Sequence, residues 1–330
     1  MKTLLRVPGS CGELAQGSID GVRLHITCPV NRYTWGGIGT FQGVQYPVGE
    51  KVKRLLHLVG GFGKKSGKRE GSMPRSGRLP FTLFSELPVG KGMASSTADM
   101  TAALALHQWA AGYSLEREKW VKLFLSVEPT DGIMFEGITL FDHYQGSLRR
   151  SFGSPPPMEI VALEFEEKID TISFNQKDQK KIARAQARTV LKSFQLIEEG
   201  VKEGSTRKIG EGATLSALSH QNILRKPDLE RILKLTLEAG GVGVNIAHSG
   251  SMIGMLFNPG TFDFQLLELK IKTLLGRSLP MHCLRLRGGG IEFLDKSQAV
   301  PVSSDHQALP VRTRGLGASE KLPHRTGPQV

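Results

Sequence analysis

An α+β protein of two domains is the fold this sequence predicts. Three observations carry that expectation. The first half alternates short β-like runs with turns. The second half alternates strands with paired helices. Between them "GSPPP", residues 153–157, breaks both patterns and marks a domain junction.

In order along the chain, "TLLRVPG", "VRLHITCPV", "YTWGGIG" and "LPFTLFSEL" read as strands, rich in β-branched and aromatic residues between turn residues. Next comes "LPVGKGMASSTADM", residues 87–100. Its glycines allow positive φ and close approach to a ligand. Ser95, Ser96 and Thr97 suit a helix start, where free N–H groups need acceptors. The alanine-rich run after them ends at Gly112. A glycine turn feeding a helix N-terminus binds anions, phosphate above all. It is neither a Walker A loop, since Gly92 follows Lys91, nor a G-x-G-x-x-G turn.

"SLEREKWVKLFLSVEP" predicts a second helix, with Ser114 as cap and Pro129 as stop. "ITLFDHYQGSLRRSF" and "MEIVALEF" read as strands. Helices are expected over about 176–199, in "TRKIGEGATLSALSHQ", in "PDLERILKLTLEAGG" and in "FDFQLLELKIKTLLG". "GVNIAHSGSMIGMLF" reads as two strands around a turn, and "HCLRLRGGGIEFL" as a closing strand. From about Ser297 the chain lacks any period and is rich in Pro, Ser and Gly, which predicts a disordered tail over 298–330.

At 330 residues, with 39% hydrophobic and 22% charged, the chain can bury a core like an ordinary globular protein. Nothing approaches the roughly 18 consecutive apolar residues of a membrane span. Arg6, Pro8 and Glu13 interrupt the N-terminal apolar run, so a cytoplasmic location is expected. Cys11, Cys28 and Cys283 are odd in number and lack a C-x-x-C spacing, against a disulfide framework or zinc site. Of the net charge of +12, residues 51–79 carry +8, from nine Lys/Arg against Glu70. This segment reads as a solvated loop between strands. With Phe62 its single aromatic, it is a poor base-stacking platform.

Three segments together resemble the GHMP kinase superfamily. The phosphate loop P-x-x-x-G-L-G-S-S-A-A has its counterpart in Pro88, Val89, Gly90, Lys91, Gly92, Met93, Ala94, Ser95, Ser96 and Thr97. Met93 replaces Leu, Ala94 replaces Gly and Thr97 replaces Ala. The N-terminal P-G motif stands as "PGSCGELAQG", and "AGGVGVNIAHSGSMIGMLF" takes the place of the third, glycine-rich motif. Within the superfamily, "PGSCGELAQG", "EPTDG" and "VNIAHSGSMIGMLF" look like the L-threonine kinase branch of cobalamin synthesis.

The resemblance implies a ribosomal-protein-like βαβ domain over 1–155 and a ferredoxin-like α/β sandwich over 156–297. It implies transfer of a phosphoryl group from ATP, with Mg²⁺, to the hydroxyl of L-threonine. Homoserine or a sugar as acceptor, or a non-catalytic metabolite sensor, are the alternatives. Asp131 matches the aspartate that orients or deprotonates the acceptor, against a turn-capping role. Ser96 is placed for Mg²⁺ or phosphate, with Ser95 and Thr97 as alternatives, and Glu128 is a second Mg²⁺ candidate. Glu13, Ser10, Gly12 and His248 fall at the acceptor site, where Glu13 suits an ammonium group. If the backbone at Ala94 has positive φ, as glycine allows, the alanine is strained by roughly 1 kcal/mol. A small-molecule substrate is the expected partner, with a homodimer left open and neither nucleic acid nor membrane expected.

Overall fold

A computed structural model describes residues 4–38, 48–63, 81–165, 176–248 and 250–294. These residues belong to one compact unit spanning 1–299. The expected tail over 298–330 lies outside the described residues.

The framework is a ten-stranded sheet in which every described pairing is antiparallel. Its strands are β1 (Leu4–Ile19), β2 (Val22–Ile38), β3 (Phe81–Ser85), β4 (Ile138–Asp142), β5 (Arg149–Gly153), β6 (Glu159–Glu164), β7 (Gly243–Ile246), β8 (Met252–Phe257), β9 (Met281–Arg285) and β10 (Glu292–Leu294). The order across the sheet is β5-β4-β2-β1-β7-β8-β6-β9, with β3 beside β2 and β10 beside β1. Asp20 and Gly21, both at positive φ, close the β1–β2 hairpin. Such Asp-Gly pairs match the twist of antiparallel strands.

Two of the expected strands are pieces of one. "VRLHITCPV" and "YTWGGIG" run together in β2. β1 likewise continues through "SCGELAQGSI", because bulges absorb its glycines instead of ending it. Register shifts fall between Pro8 and Gly9, between Ser10 and Glu13, and between Glu13 and Ala15. Bulges bend a strand and re-aim its side chains. Here they surround Glu13, which pairs across to Ile246 of β7.

The helices are α1 (Glu50–Gly63), α2 (Ser95–Ala111), α3 (Arg117–Leu125), α4 (Gln176–Glu203), α5 (Thr206–His220), α6 (Leu229–Glu238) and α7 (Phe264–Leu275). The first corrects the loop expected over 51–79. Val52, Leu55, Leu56 and Val59 are buried on one face at helical spacing, beneath the basic residues that suggested a loop. Residues 64–80 lie outside the described residues. α3 is shorter than expected. Residues 113–116 are not helical, so Glu116 rather than Ser114 precedes the helix, which ends at Leu125, before Pro129.

α2 is buried almost all round, as its small alanines permit, between the sheet and α1. Two apolar clusters result. One joins α1, α2, α3 and α4 to β1 and β2; the other packs α6 and α7 on β6, β7 and β8. The stretch 154–158 leads from β5 to β6.

Candidate active site

Residues 88–94 form a loop of tight turns, with Gly90 at φ 77°, Gly92 at φ 86° and Ala94 at φ 55°. Glycine is required at 92, where a Cβ would come within 2.5 Å of the Ala247 Cβ. It is required equally at Gly12, where φ is 59° and a Cβ would lie 2.6 Å from the Ala247 backbone. These positions lock three segments together. Gly12 N–H donates to Gly92 O and Ser10 N–H to Met93 O, both at 3.0 Å. The N-terminal motif, the glycine loop and the β7–β8 turn are thus one assembly.

The loop opens into α2. The expected hydroxyl caps are not caps. Ala94 occupies the N-cap position, where no side chain accepts from the first turn. The hydroxyls turn sideways instead. Ser96 Oγ donates to Glu128, which Lys51 of α1 pairs at 2.5 Å. Thr97 Oγ1 lies 3.0 Å from Thr130 Oγ1 and accepts from the Asp131 N–H at 3.2 Å. Ser95 is buried, and the Met93 side chain is buried in the core. Val89 stands exposed at the loop tip. Lys91 folds back to Glu164 at 3.0 Å and to Phe165 O at 3.4 Å. An uncapped helix start beside a glycine turn leaves N–H donors for phosphate oxygens. A Cβ at Gly90 would meet nothing within 4 Å, so the loop is open on that side.

Beside the loop lies a cavity of about 310 Å³, lined by Glu13, His25, Glu128, Pro129, Thr130, Asp131, His143, Tyr144 and His248. Asp131 stands here because its N–H is held by Thr97 and the Gly132 N–H by Thr27 Oγ1. Glu13, 7% exposed, accepts from the His248 N–H at 2.6 Å. His248 therefore contacts Glu13 through its backbone, while its ring stacks towards His143 and His220 at 5.4 and 5.6 Å. Carboxylate oxygens of Glu13 and Asp131 and a ring nitrogen of His25 lie within 4.8 Å of one another.

The 31% identity over 291 residues to the L-threonine kinase of Salmonella typhimurium, covering 87% of this chain and 94% of that protein, decides the family. The chain belongs to the GHMP kinases. The L-threonine kinase of Citrobacter freundii is also 31% identical over 291 residues, covering 87% of this chain and 98% of its own. Residues 57–135 match the GHMP kinases N terminal domain and 197–271 the GHMP kinases C terminal family. Among solved structures, homoserine kinase from Cytophaga hutchinsonii superposes with a TM-score of 0.58 at 14% identity, covering 89% of this chain and 97% of that one. Mevalonate diphosphate decarboxylase from Staphylococcus aureus gives 0.61 at 12%, covering 89% and 98%. The structure of MDDEF in complex with MVAPP, AMPPCP and magnesium gives 0.57 at 14%, covering 90% and 99%. The chain is accordingly an ATP-dependent kinase acting on a small-molecule hydroxyl.

Burial sets the electrostatics of the kinase's cavity. Burial, then the Asp131 charge, pushes the Glu13 carboxyl well above the usual range, against the His248 N–H and Lys226. Asp131 is pushed up to about 6 by burial and the Glu128 charge, opposed by Thr97. Burial holds His25 and His248 neutral, His143 down to about 4 and His220 to about 3. Lys226, down to about 8 through burial, donates to Gly250 O at 2.7 Å. Cys11 is a buried packing residue, its thiol pushed up to about 12 by burial and the Glu13 charge.

Two groupings have donor sets suited to a cation: Ser96 with Glu128, and Glu13 with His25 and Asp131. Ser10 enters the assembly through its backbone, with its Oγ 3.5 Å from Gly92 O. Sequence reasoning missed Lys51, His25, His143 and Tyr144. The two histidines come together through β2–β4 pairing, His25 standing opposite Phe141, and no local motif marks either one. Among the described residues no helix is long and apolar enough to cross a membrane.

Proposed function

We propose that this kinase phosphorylates the side-chain hydroxyl of L-threonine, giving O-phospho-L-threonine. The observation that carries the reading is the shared Thr97. Its hydroxyl accepts from the Asp131 N–H from within the first turn of α2, so the acceptor carboxylate stands against the phosphate loop. The two L-threonine kinases of similar length support the substrate.

The residues present fit ATP and Mg²⁺: the loop is open at Gly90, the α2 start is uncapped, and Ser96 and Glu128 offer hard oxygens side by side. Bound there, Mg·ATP supplies the phosphoryl group and the ion that neutralises its charge. We assign Pro88 to Thr97 to the phosphates, and Ser96 with Glu128 to the metal. Asp131 orients the hydroxyl and takes its proton at a carboxylate oxygen. Glu13 receives the ammonium group, held by the bulged β1 and the His248 N–H. Ser10 and Gly12 act by fixing the loop.

We further read residues 1–155 and 156–297 as two lobes, the protein as cytoplasmic, and the product as feeding the aminopropanol linker of cobalamin. A homodimer is left to measurement of mass in solution. Asp131→Asn tests the central assignment. Loss of a positioned base is expected to cut kcat about 10²–10⁴-fold with ATP affinity intact. Asp131 precedes the turn at 132–134, where its side chain makes no capping hydrogen bond, so Asn in a purely structural role would cost little. Near-wild-type turnover of L-threonine would therefore reduce Asp131 to a turn residue.

A further inference from the structure

The cavity holds more polar capacity than a hydroxyl and an ammonium group use. His25 is 3% exposed and its Nε2 has no hydrogen-bond partner. His143 is 6% exposed and neither ring nitrogen has one. The two rings lie 4.5 Å apart between centroids, and both line the cavity. Buried polar atoms are nearly always satisfied, and leaving one unmade is costly. Two adjacent imidazoles that line the cavity, with these nitrogens buried and unpaired, point to a ligand that accepts hydrogen bonds.

We propose that His25 and His143 receive the α-carboxylate of the acceptor, making the cavity a three-point reader of a β-hydroxy-α-amino acid. This rests on the L-threonine reading and adds what selects that substrate. The spacing supports it. In such an acid the ammonium and hydroxyl sit on neighbouring carbons, about 3 Å apart when gauche. The carboxylate shares the ammonium's carbon, so all three groups fall on one small triangle. Glu13, Asp131 and His25 offer a matching triangle with corners within 4.8 Å of one another. A hydroxyl one carbon further away, as in homoserine, must fold back to meet Asp131 while the other two corners stay engaged. The histidines suit the role chemically. A neutral imidazole keeps an N–H to donate and adds no positive charge beside the ammonium. A divalent cation among Glu13, His25 and Asp131 would leave both nitrogens of His143 unsatisfied, which disfavours that alternative.

The test compares kcat/KM for L-threonine, L-homoserine and 1-amino-2-propanol, which keeps the vicinal amine and hydroxyl but lacks the carboxylate. Wild type is expected to prefer L-threonine over the amino alcohol by about 10–100-fold, the usual weight of hydrogen bonds to a charged group. In His25→Ala and in His143→Ala that preference should collapse towards unity, through KM more than kcat. Equal use of L-threonine and the amino alcohol by wild type overturns the carboxylate seat, and needs no variant to fold. A preference that survives both substitutions also overturns it. So does one equivalent of a transition metal in purified wild type that His25→Ala loses. If wild type phosphorylates L-homoserine or some other hydroxyl compound but neither L-threonine nor 1-amino-2-propanol, the threonine reading itself falls. If it takes threonine without preference, this inference alone falls.

Discussion

At position 94 an alanine holds the backbone that glycine adopts without strain, at φ 55° and ψ 25°. The left-handed conformation costs a residue with a Cβ about 1–2 kcal/mol. Ala94→Gly recovers that cost and loses about 0.4–1 kcal/mol to the freer unfolded chain. Chemical denaturation should therefore show the variant about 0.5–1 kcal/mol more stable, and a clear loss of stability would refute the strain. Asp131 gives a second test at this scale. Its carboxyl lies near 6 in the fold against 3.8 when free. The folded state thus binds the proton more tightly than the unfolded one. The stability Asp131 contributes is full below about pH 4 and is lost as pH rises towards 6. Asp131→Asn removes that loss, so the melting temperature should gain more over wild type at pH 7.5 than at pH 4. Activity should move the other way, with wild-type kcat rising through about pH 6 as Asp131 ionises.

Among the elements, α1 carries the least anticipated role. Lys51 pairs Glu128, which in turn accepts from Ser96 at the start of α2. Glu128→Ala removes both the metal candidate and this tie. It is expected to raise the Mg²⁺ concentration needed for half-maximal turnover at least tenfold, with L-threonine KM little changed. An unchanged Mg²⁺ requirement would take Glu128 out of the metal site. Position and type of most elements were legible in the sequence, since signals such as the Asp263 cap and Gly276 stop of α7, the Ser205 cap of α5 and the Gly112 stop of α2 are local. α1 was not, because its apolar face is masked by basic residues and glycines. The glycine loop and Asp131 stood out as candidates because each lies in one short motif. His25 and His143 could not. They are 118 positions apart, and only the β2–β4 ladder makes them neighbours.

For the whole molecule, the +12 charge misleads when treated as one number. The cavity to which we assign the acceptor is lined by carboxylates and neutral imidazoles, suited to a small zwitterion and not to a polyanion. The aperiodic composition after Ser297 predicts that deleting 298–330 leaves turnover and melting temperature unchanged. A large fall in either would assign that segment a place on the body. Finally, the ladder between β1 and β7 is a single residue pair, Glu13 with Ile246. That single pair falls at the carboxylate we assign to the ammonium group. Bending along that line would swing β7 and the Ala247 backbone against Gly12 and Gly92. Glu13 is also tied there, its backbone O accepting from Asn245 Nδ2 at 3.2 Å and its carboxylate from the His248 N–H at 2.6 Å, so a change in the angle between β1 and β7 would also change the shape of the cavity.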